Sequence, residues 1–388
     1  MLPAAHVQAA IEILDEILEA EYTADVVIGR WFRRHRFAGS KDRIAIRDHI
    51  YDALRNLRFY SAIGGGMRGR AIMIGSILNK GSDLQSVFSG HGYAPSQLDP
   101  KEIGPFPEAS IQERLDIPDW LWPIWQSDLA DKAQHVAQKL TQRAPLFLRA
   151  NLIKSSVRHA IEVLDKEGIK AIAHDTVPTA LSVVNNTRNI FKSFAYQEGL
   201  VELQDASSQM SICSLPCRLD GAILDFCAGG GGKSLALAAW FKSKVFAYDT
   251  AQPRMKDLPS RAKRAGAEII CLSKENLYKQ QYGLVFCDVP CSGSGTWRRD
   301  PWAKRMLTKE ILEKLIKVQG RILRRSYELV KPGGCLAYAT CSVLKMENIC
   351  QIEAFTSSLK NLDCLESNQI MPSDDGDGFF YSYIKKSI

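Results

Sequence analysis

The sequence predicts an α/β fold in which a main domain with a mostly parallel sheet, covered by helices on both faces, follows two smaller units. Three observations support this prediction. From residue 221 onward, apolar runs typical of strands alternate with helical stretches, which is the pattern of a parallel sheet. Residues 1–140 repeat apolar side chains at helical spacing, and residues 141–200 change to short β-rich runs around one helix. We therefore predict an all-α domain at 1–140, a small α+β unit at 141–200 and the main domain at 201–388.

Composition excludes several classes of protein. Of the 388 residues, 46% are hydrophobic and 24% are charged, which is typical of a globular chain long enough to bury a core. The sequence has no basic leader at its start and no apolar run of about 18 residues. We expect a cytoplasmic monomer without a membrane partner. No Cys-x-x-Cys pair is present, so we expect no metal site.

The helical domain begins with apolar residues at helical spacing, among them Val7, Ile11 and Leu14. Between Gly29 and Arg58 there are nine basic residues against three acidic ones, and a second basic excess runs from Arg298 to Arg325. Either segment alone could be a solvated helix face. Together they favour a polyanionic partner, because lysine and arginine neutralise phosphates.

The small unit shows strand patterns at 146–149 and 180–184 around a helix at 156–166. In the main domain, the predicted strands are "AILDFCA", "KVFAYDT", "EIICLS", "YGLVFCDV" and "GCLAYAT", with a long helix at 308–330 before "KPGG". Four unusual stretches fall at strand ends, namely "CAGGGGKS", "YDTAQPR", "DVPCSGSG" and "TCS". Because ligands of such sheets bind outside the carboxyl ends of the strands, these stretches predict one site.

The glycine loop, Gly229 to Gly232, lies between a strand and a helix, where bare backbone amides face a ligand. A phosphate-binding P-loop needs a glycine where Cys227 stands, and a dinucleotide fingerprint needs one at Ser234, so neither matches. The remaining ligand is S-adenosylmethionine, which needs a tight glycine turn and an acid for its ribose hydroxyls. Asp249, 20 residues after Gly229, has the position for that acid. A plain tight connection is the other reading of this loop.

Two cysteines and an aspartate match one difficult reaction. Methylation at carbon 5 of cytosine requires a thiolate that adds to carbon 6, a group that later accepts the carbon 5 proton, and an acid beside the pyrimidine. Cys341 in "YATCS", Cys291 in "DVPCSGSG" and Asp288 lie at the ends of two strands that face one crevice. No histidine lies in this domain, so we expect positive surroundings and bound cofactor to lower the pKa of Cys341 only in part.

The stretches "LDFCAGGGGKS", "DVPCSGSGTWRRDP" and "YATCSVLKMEN" resemble the signature motifs of the Sun-type, RsmB-like RNA cytosine-5 methyltransferases, and the resemblance covers about residues 145–388. It implies a Rossmann-like methyltransferase domain that uses S-adenosyl-L-methionine to methylate RNA. Ribosomal RNA is the expected substrate, and tRNA is the alternative. The resemblance also implies that Cys341 attacks, that Cys291 assists release and that Asp288 contacts the cytosine edge. Residues 1–140 are similar to a NusB-like RNA-binding domain, and residues 141–200 to the small RNA-binding insert of the same family.

The cofactor-binding and RNA-binding residues are predicted from their positions in the chain, and Arg254 is predicted from the resemblance. Lys233 would meet the cofactor carboxylate or stay in solvent, and Arg254 would lie beside the ribose or on the surface. Arg298 and Arg299 would hold RNA phosphates, or pair with Asp300. The predicted cofactor-binding residues are Cys227, Ala228, Gly229, Gly230, Gly231, Gly232, Lys233, Asp249, Arg254 and Asp288.

Two departures from the family pattern leave an alternative open. The family has Ala-Pro where this chain has Gly229 and Gly230, and the acid that holds the adenine is replaced by "LSKEN" with Ser273, Glu275 and Asn276. Glycine leaves the loop more flexible than proline would. The alternative function is therefore a non-catalytic RNA-binding or ribosome-assembly factor built on a methyltransferase fold.

Overall fold

The computed structural model describes residues 1–20, 22–105, 108–215, 220–359 and 362–388. These residues form two compact units. The first comprises Met1–Arg143 and Trp297–Met306, and the second comprises Ala144–Thr296 and Leu307–Ile388. Within the described ranges, every helix is too short or too polar to cross a membrane.

The first unit is helical. Its first helix carries Pro3 at the first helical position, where the missing N–H costs nothing, and buries Ile13, Leu14 and Ile17. These side chains pack with those of the following helices into one apolar core. The helices before residue 144 are α1 (Pro3–Glu19), α2 (Ala24–Arg34), α3 (Ser40–Arg55), α4 (Leu57–Gly64), α5 (Gly69–Asn79), α6 (Leu84–Val87), α7 (Ile111–Arg114), α8 (Trp122–Leu129) and α9 (Ala133–Thr141).

The segment Trp297–Met306 joins this unit although it is distant in sequence. The Trp297 ring stacks on the Trp125 ring, with centroids 5.8 Å apart and planes at 13°. The Lys304 side chain forms an ion pair with Asp116, and both residues are buried. The Asp116 carboxylate also accepts a hydrogen bond of 2.6 Å from the Arg58 backbone N–H. Stacking and a buried ion pair thus attach the segment to the helices.

The second unit begins with a four-stranded antiparallel sheet. Its elements are β1 (Phe147–Ala150), α10 (Val157–Lys166), β2 (Ala171–Ala173), β3 (Ala180–Val183), α11 (Phe194–Gln197) and β4 (Val201–Leu203). The strand order is β2-β3-β1-β4, the order of a split βαββαβ unit. One face of the sheet buries Leu148, Leu181 and Val201 beneath Leu164 of α10.

The main sheet has seven strands in the order β10-β11-β9-β8-β5-β6-β7. The five strands from β5 to β9 pair in parallel, whereas β10 and β11 pair antiparallel at one edge. This architecture confirms the predicted α/β fold. The elements are α12 (Ala206–Cys213), β5 (Ile223–Asp225), α13 (Gly232–Phe241), β6 (Val245–Ala247), α14 (Leu258–Ala265), β7 (Ile269–Cys271), α15 (Lys274–Leu277), β8 (Tyr282–Asp288), α16 (Pro301–Met306, in the first unit), α17 (Lys309–Glu328), β9 (Val330–Thr340), α18 (Ile349–Ser357), β10 (Leu362–Ile370) and β11 (Phe379–Lys386).

The strand order reverses at β5, which lies between β6 and β8. Parallel pairing sets Asp225 opposite Phe286 and Asp288 opposite Ala339, so these strands end at one edge of the sheet. A crevice opens at such a reversal, outside the carboxyl ends of the strands. The predicted glycine loop and both predicted cysteine motifs follow strands that end there.

Candidate active site

The glycine loop connects β5 to α13 in a conformation that only glycine adopts readily. Gly229 and Gly231 have positive φ angles of 50° and 81°. The Gly231 N–H donates to the Ala228 carbonyl at 2.8 Å, and a Cβ atom at Gly231 would collide with the Leu258 side chain. At Gly232, by contrast, an added Cβ would meet no atom of the described part of the chain within 4 Å. The loop is thus packed on one side and open on the other.

Asp249, at the end of β6, holds this loop in place. Its carboxylate is buried and accepts hydrogen bonds of 2.8 Å from the backbone N–H groups of Gly229 and Ala251. The exposed Arg254 guanidinium lies 3.3 Å from the same carboxylate. The structure therefore brings together three residues of the predicted cofactor site, and the acid stands beside the glycine turn.

A cleft of about 470 Å³ opens beyond the carboxyl ends of β6 and β7. It provides both polar side chains and an acid, Glu275, in the segment where the sequence departs from the family pattern. Tyr248 and Thr250, which flank Asp249 in the chain, both line this cleft, so it adjoins the predicted acid. The cleft is lined by Tyr248, Thr250, Gln252, Ser273, Lys274, Glu275 and Arg325.

Asp225, the last residue of β5, lies beneath the loop. Its carboxyl group is fully buried. One oxygen accepts a 2.6 Å hydrogen bond from the Ser234 hydroxyl, and the other has no hydrogen-bond partner among the described residues. Burial raises the pKa of Asp225 to about 7, and the neighbouring Asp288 and Asp249 carboxylates act in the same direction. This carboxyl therefore changes charge near neutral pH.

We expect Asp225 to make the protein less stable as the pH rises. A carboxyl whose pKa is about 7 in the folded chain and 3.8 in the unfolded chain stabilises the fold at low pH, and that contribution is lost as the pH rises from about 4 to about 7. Asp225→Asn removes the ionisation and keeps an acceptor for Ser234. Its free energy of unfolding, relative to wild type, should rise between pH 5 and pH 8 by up to about 3 kcal/mol.

Urea denaturation of both proteins at the two pH values measures this difference. Asp220→Asn is the control, because its exposed carboxyl has a pKa lowered by a hydrogen bond from Lys331 and should show no such gain. Equal pH dependence in Asp225→Asn and wild type would contradict the prediction.

Lys233 and Asp288 form an ion pair across the crevice. The Lys233 Nζ donates to the Asp288 carboxylate at 2.6 Å and lies 5.1 Å from the centroid of the Phe379 ring. Lys233 is only 12% exposed, so it is not a solvated helix residue. The pair holds the Asp288 carboxylate, which is 31% exposed, at the end of β8.

The two cysteines are in direct contact, with 3.4 Å between the Cys291 and Cys341 sulfur atoms. The hydrogen bond from Cys291 lowers the pKa of Cys341, against burial and the Asp288 charge, while the Thr296 hydroxyl and Lys233 help to lower it. The same contact and burial raise the pKa of Cys291 well above its ordinary value. The neighbouring thiol is thus the main cause of the lowered pKa, ahead of the positive charge of Lys233.

Sequence reasoning missed a buried network behind the cysteines. Glu347, fully buried, accepts hydrogen bonds from the residues that follow both cysteines, Ser292 and Ser342, and from Gln319 of α17. Glu347 belongs to the stretch "YATCSVLKMEN", but a glutamate before a helix is more often exposed than buried, so the sequence does not mark it as a site residue.

The two arginines predicted for RNA phosphates belong to the first unit and differ in exposure. Arg298 is only 2% exposed, whereas Arg299 is exposed. Of the two, only Arg299 therefore presents its side chain to solvent, and its contact with RNA stays a prediction. Arg298, largely enclosed by protein, contributes to the packing of that segment.

Two family models match the chain. Residues 213–385 match the model for 16S rRNA methyltransferase RsmB/F, and residues 117–189 match the ferredoxin-like domain of RsmF/B-like methyltransferases. The first match includes the glycine loop, Asp249 and both cysteines.

Similar proteins agree with these models. Ribosomal RNA small subunit methyltransferase B of Proteus mirabilis is 32% identical over 69% of this chain and 65% of that protein. The protein of the same name from Salmonella arizonae is 31% identical over 72% of this chain and 68% of that protein. The chain thus spans about two thirds of the length of these relatives.

Solved structures show the same fold. The crystal structure of PH0851 superposes with a TM-score of 0.81 at 22% identity, covering 100% of this chain and 99% of that one. NSun6 from Pyrococcus horikoshii gives a TM-score of 0.62 at 17% identity, covering 70% of this chain and 99% of that one. The predicted family and its cofactor, S-adenosyl-L-methionine, are confirmed by the family match. With its motifs, its sheet order and these similarities, the chain belongs to the RsmB/F family of 16S rRNA methyltransferases.

Proposed function

We propose that the chain transfers a methyl group from S-adenosylmethionine to carbon 5 of a cytosine in structured ribosomal RNA, through a covalent adduct between Cys341 and carbon 6. The observation that supports this most strongly is the contact of 3.4 Å between the Cys291 and Cys341 sulfur atoms at the edge where β8 and β9 end. A single nucleophile would suffice for simple alkylation. Two thiols in contact suit a reaction in which one sulfur must attack and later leave.

The lowered pKa of Cys341 supports its role as nucleophile, because the thiolate is the reactive form of cysteine. The pKa of Cys291 is raised, so this residue keeps its proton while Cys341 attacks. Cys291 also contacts the sulfur that must leave. After methyl transfer, and once it has lost its own proton to solvent, Cys291 would accept the carbon 5 proton. The electrons of that bond re-form the ring double bond and the carbon 6–sulfur bond breaks, so that Cys341 leaves as a thiolate. Asp288, fixed by Lys233, would contact the edge of a cytosine that has left its stack.

The cofactor supplies an electrophilic methyl group. The glycine loop would approach it from its open side at Gly232, and Asp249 would accept hydrogen bonds from its ribose hydroxyls. Ser273 and Glu275 line the adjacent cleft and would face the adenine, in place of the acid that the family pattern has there.

The helical unit would contribute to RNA binding. Arg30, Arg33 and Arg36 are exposed, as is Phe37, whose side chain is 67% exposed. Arginines beside an exposed aromatic ring suit RNA, because guanidinium groups pair with phosphates and rings stack on bases.

A methyl-transfer assay tests the proposal. Purified protein is incubated with radiolabelled cofactor and unmodified 16S rRNA, and the product nucleoside is identified by mass spectrometry. We expect 5-methylcytidine from wild type and from Cys364→Ala, which removes an exposed thiol on β10. Methyl groups on another atom would contradict the carbon 5 assignment, and cofactor binding without transfer to any RNA would favour the non-catalytic RNA-binding factor.

A further inference from the structure

We propose that Glu347 is a positioning residue that locks the Cys291 and Cys341 loops together, so that Cys291 donates its proton toward Cys341 and the two thiols have different roles. The assignment of those roles rests on the proposed function, whereas the positioning itself is independent of any substrate.

One carboxylate reaches the neighbours of both cysteines. Glu347 Oε1 accepts from the Ser292 backbone N–H at 2.8 Å, and Oε2 accepts from the Ser342 hydroxyl at 2.6 Å and from the Ser292 hydroxyl. Ser292 directly follows Cys291, and Ser342 directly follows Cys341. Glu347 therefore holds the residue next to each thiol, and these two residues fix the distance between the sulfur atoms.

The same carboxylate is fixed from behind by α17. Gln319 donates to Glu347 Oε1 at 3.0 Å and to the Pro290 carbonyl at 2.9 Å. Because Pro290 and Ser292 flank Cys291, the Gln319–Glu347 pair holds the chain on both sides of that thiol. The Tyr338 hydroxyl also donates to the Glu347 backbone carbonyl at 2.6 Å, which ties the acid to β9.

A second set of contacts joins the two loops directly. The Ser294 and Ser342 hydroxyl oxygens are 2.8 Å apart, and the Gly295 N–H donates to the Cys341 carbonyl at 2.9 Å. These contacts would keep the loops near each other without Glu347. Glu347 adds a fixed position of one loop relative to the other, and it adds a buried negative charge.

That charge acts unequally on the two thiols. The hydrogen bond to Cys341 and burial are the largest causes that raise the pKa of Cys291, and the Glu347 charge raises it further. The charged groups that act on Cys341 include Asp288 of β8, which raises its pKa, and Lys233 of α13, which lowers it. Tyr338 of β9 also lies beside the pair, and burial raises its pKa, so it stays neutral. A negative charge on the Cys291 side favours the proton on Cys291 and the thiolate on Cys341.

A thiol-reactivity measurement on the whole protein, without RNA or cofactor, tests this inference. Wild type, Glu347→Gln and the control Glu353→Gln, an exposed glutamate on α18, are alkylated with iodoacetamide from pH 6 to 10. Peptide mass spectrometry then gives separate rates for Cys291 and Cys341. We expect Cys341 to react faster than Cys291 in wild type and in Glu353→Gln. In Glu347→Gln the ratio of the two rates should fall by about 5-fold or more, since glutamine keeps the shape and removes the charge.

A double variant distinguishes positioning from a general loss of structure. In a Cys291→Ala background, Glu347→Gln should leave the alkylation profile of Cys341 unchanged, because its effect passes through Cys291. An unchanged ratio of the two alkylation rates in Glu347→Gln would overturn the proposal. So would a change in the alkylation profile of Cys341 when Glu347→Gln is added to the Cys291→Ala background. If Glu347→Gln does not fold, Ser342→Ala, which removes one contact to the carboxylate, should lower the ratio by a smaller factor, and no change would overturn the proposal equally. This experiment measures alkylation rates and no methyl transfer. Failure of the proposed function would appear in the methyl-transfer assay, whereas failure of this inference would appear in the alkylation rates.

Discussion

Cys291→Ala is expected to accumulate a covalent protein–RNA complex that neither wild type nor Cys341→Ala forms. If Cys341 attacks carbon 6 and Cys291 assists release, removal of Cys291 leaves the adduct without its route of elimination. The measurement is a denaturing gel after incubation with cofactor and unmodified 16S rRNA, in which the complex is a slow band that disappears on nuclease treatment. Cys341→Ala should lose methyl transfer by a factor on the order of 1,000 or more.

The gel also distinguishes the alternatives. A band only in Cys341→Ala would reverse the two roles, because Cys291 would then be the attacking thiol. Methyl transfer by wild type with no band in either variant would contradict a role for Cys291 in release. Cys364→Ala serves as the control, since it changes an exposed thiol outside the crevice and should behave like wild type.

Lys304→Met is expected to lower the free energy of unfolding of the first unit by about 3–5 kcal/mol, because it leaves the Asp116 charge buried without its partner. Both residues are buried, at 5% and 1% exposure. The pair joins the segment Trp297–Met306 to the rest of the unit, so its loss should also free that segment. Urea denaturation followed by tryptophan fluorescence measures the effect, since the stacked Trp125 and Trp297 both lie in this unit.

Two further variants give this prediction its controls. Arg143→Met removes one partner of an ion pair in the same unit, but Arg143 and Asp48 are 67% and 49% exposed, so we expect a loss below about 1 kcal/mol. Lys304→Met combined with Asp116→Asn should recover part of the loss, because no buried charge then stays unpaired. Equal losses for Lys304→Met and Arg143→Met would show that burial of the pair adds nothing to its strength.

Much of the site could be predicted because its signals are local. The alternation of strands and helices placed the glycine loop, Asp249 and both cysteine motifs at strand ends, and the parallel sheet then required those ends to share one edge. The spacing from Gly229 to Asp249 follows from one strand–helix–strand unit, and the structure joins the two residues by a hydrogen bond of 2.8 Å. The long helix predicted at 308–330 is α17, whose first turn is capped by the Thr308 hydroxyl.

Other features depend on residues far apart in the chain. Glu347 accepts from Ser292, and the Cys291 sulfur contacts that of Cys341, although about 50 residues separate each pair. The sequence predicts an RNA contact for Arg298 because it follows a catalytic motif, but only the tertiary structure shows that its exposure is 2%. No local pattern distinguishes a buried glutamate or arginine from a solvated one, because burial depends on what the rest of the chain brings to that position.

By itself, the amino-acid sequence determined the α/β class, the methyltransferase family, the cofactor and the order of the site motifs, since each follows from periodicity or from short stretches whose chemistry is local. Tertiary structure alone decided that the two thiols are in contact, which acid accepts hydrogen bonds from their loops, and that Trp297–Met306 packs with the helical unit. The reason is physical. The pKa of a thiol and the cost of burying a charge are set by the distances to a few partners, and those distances exist only once the chain has folded.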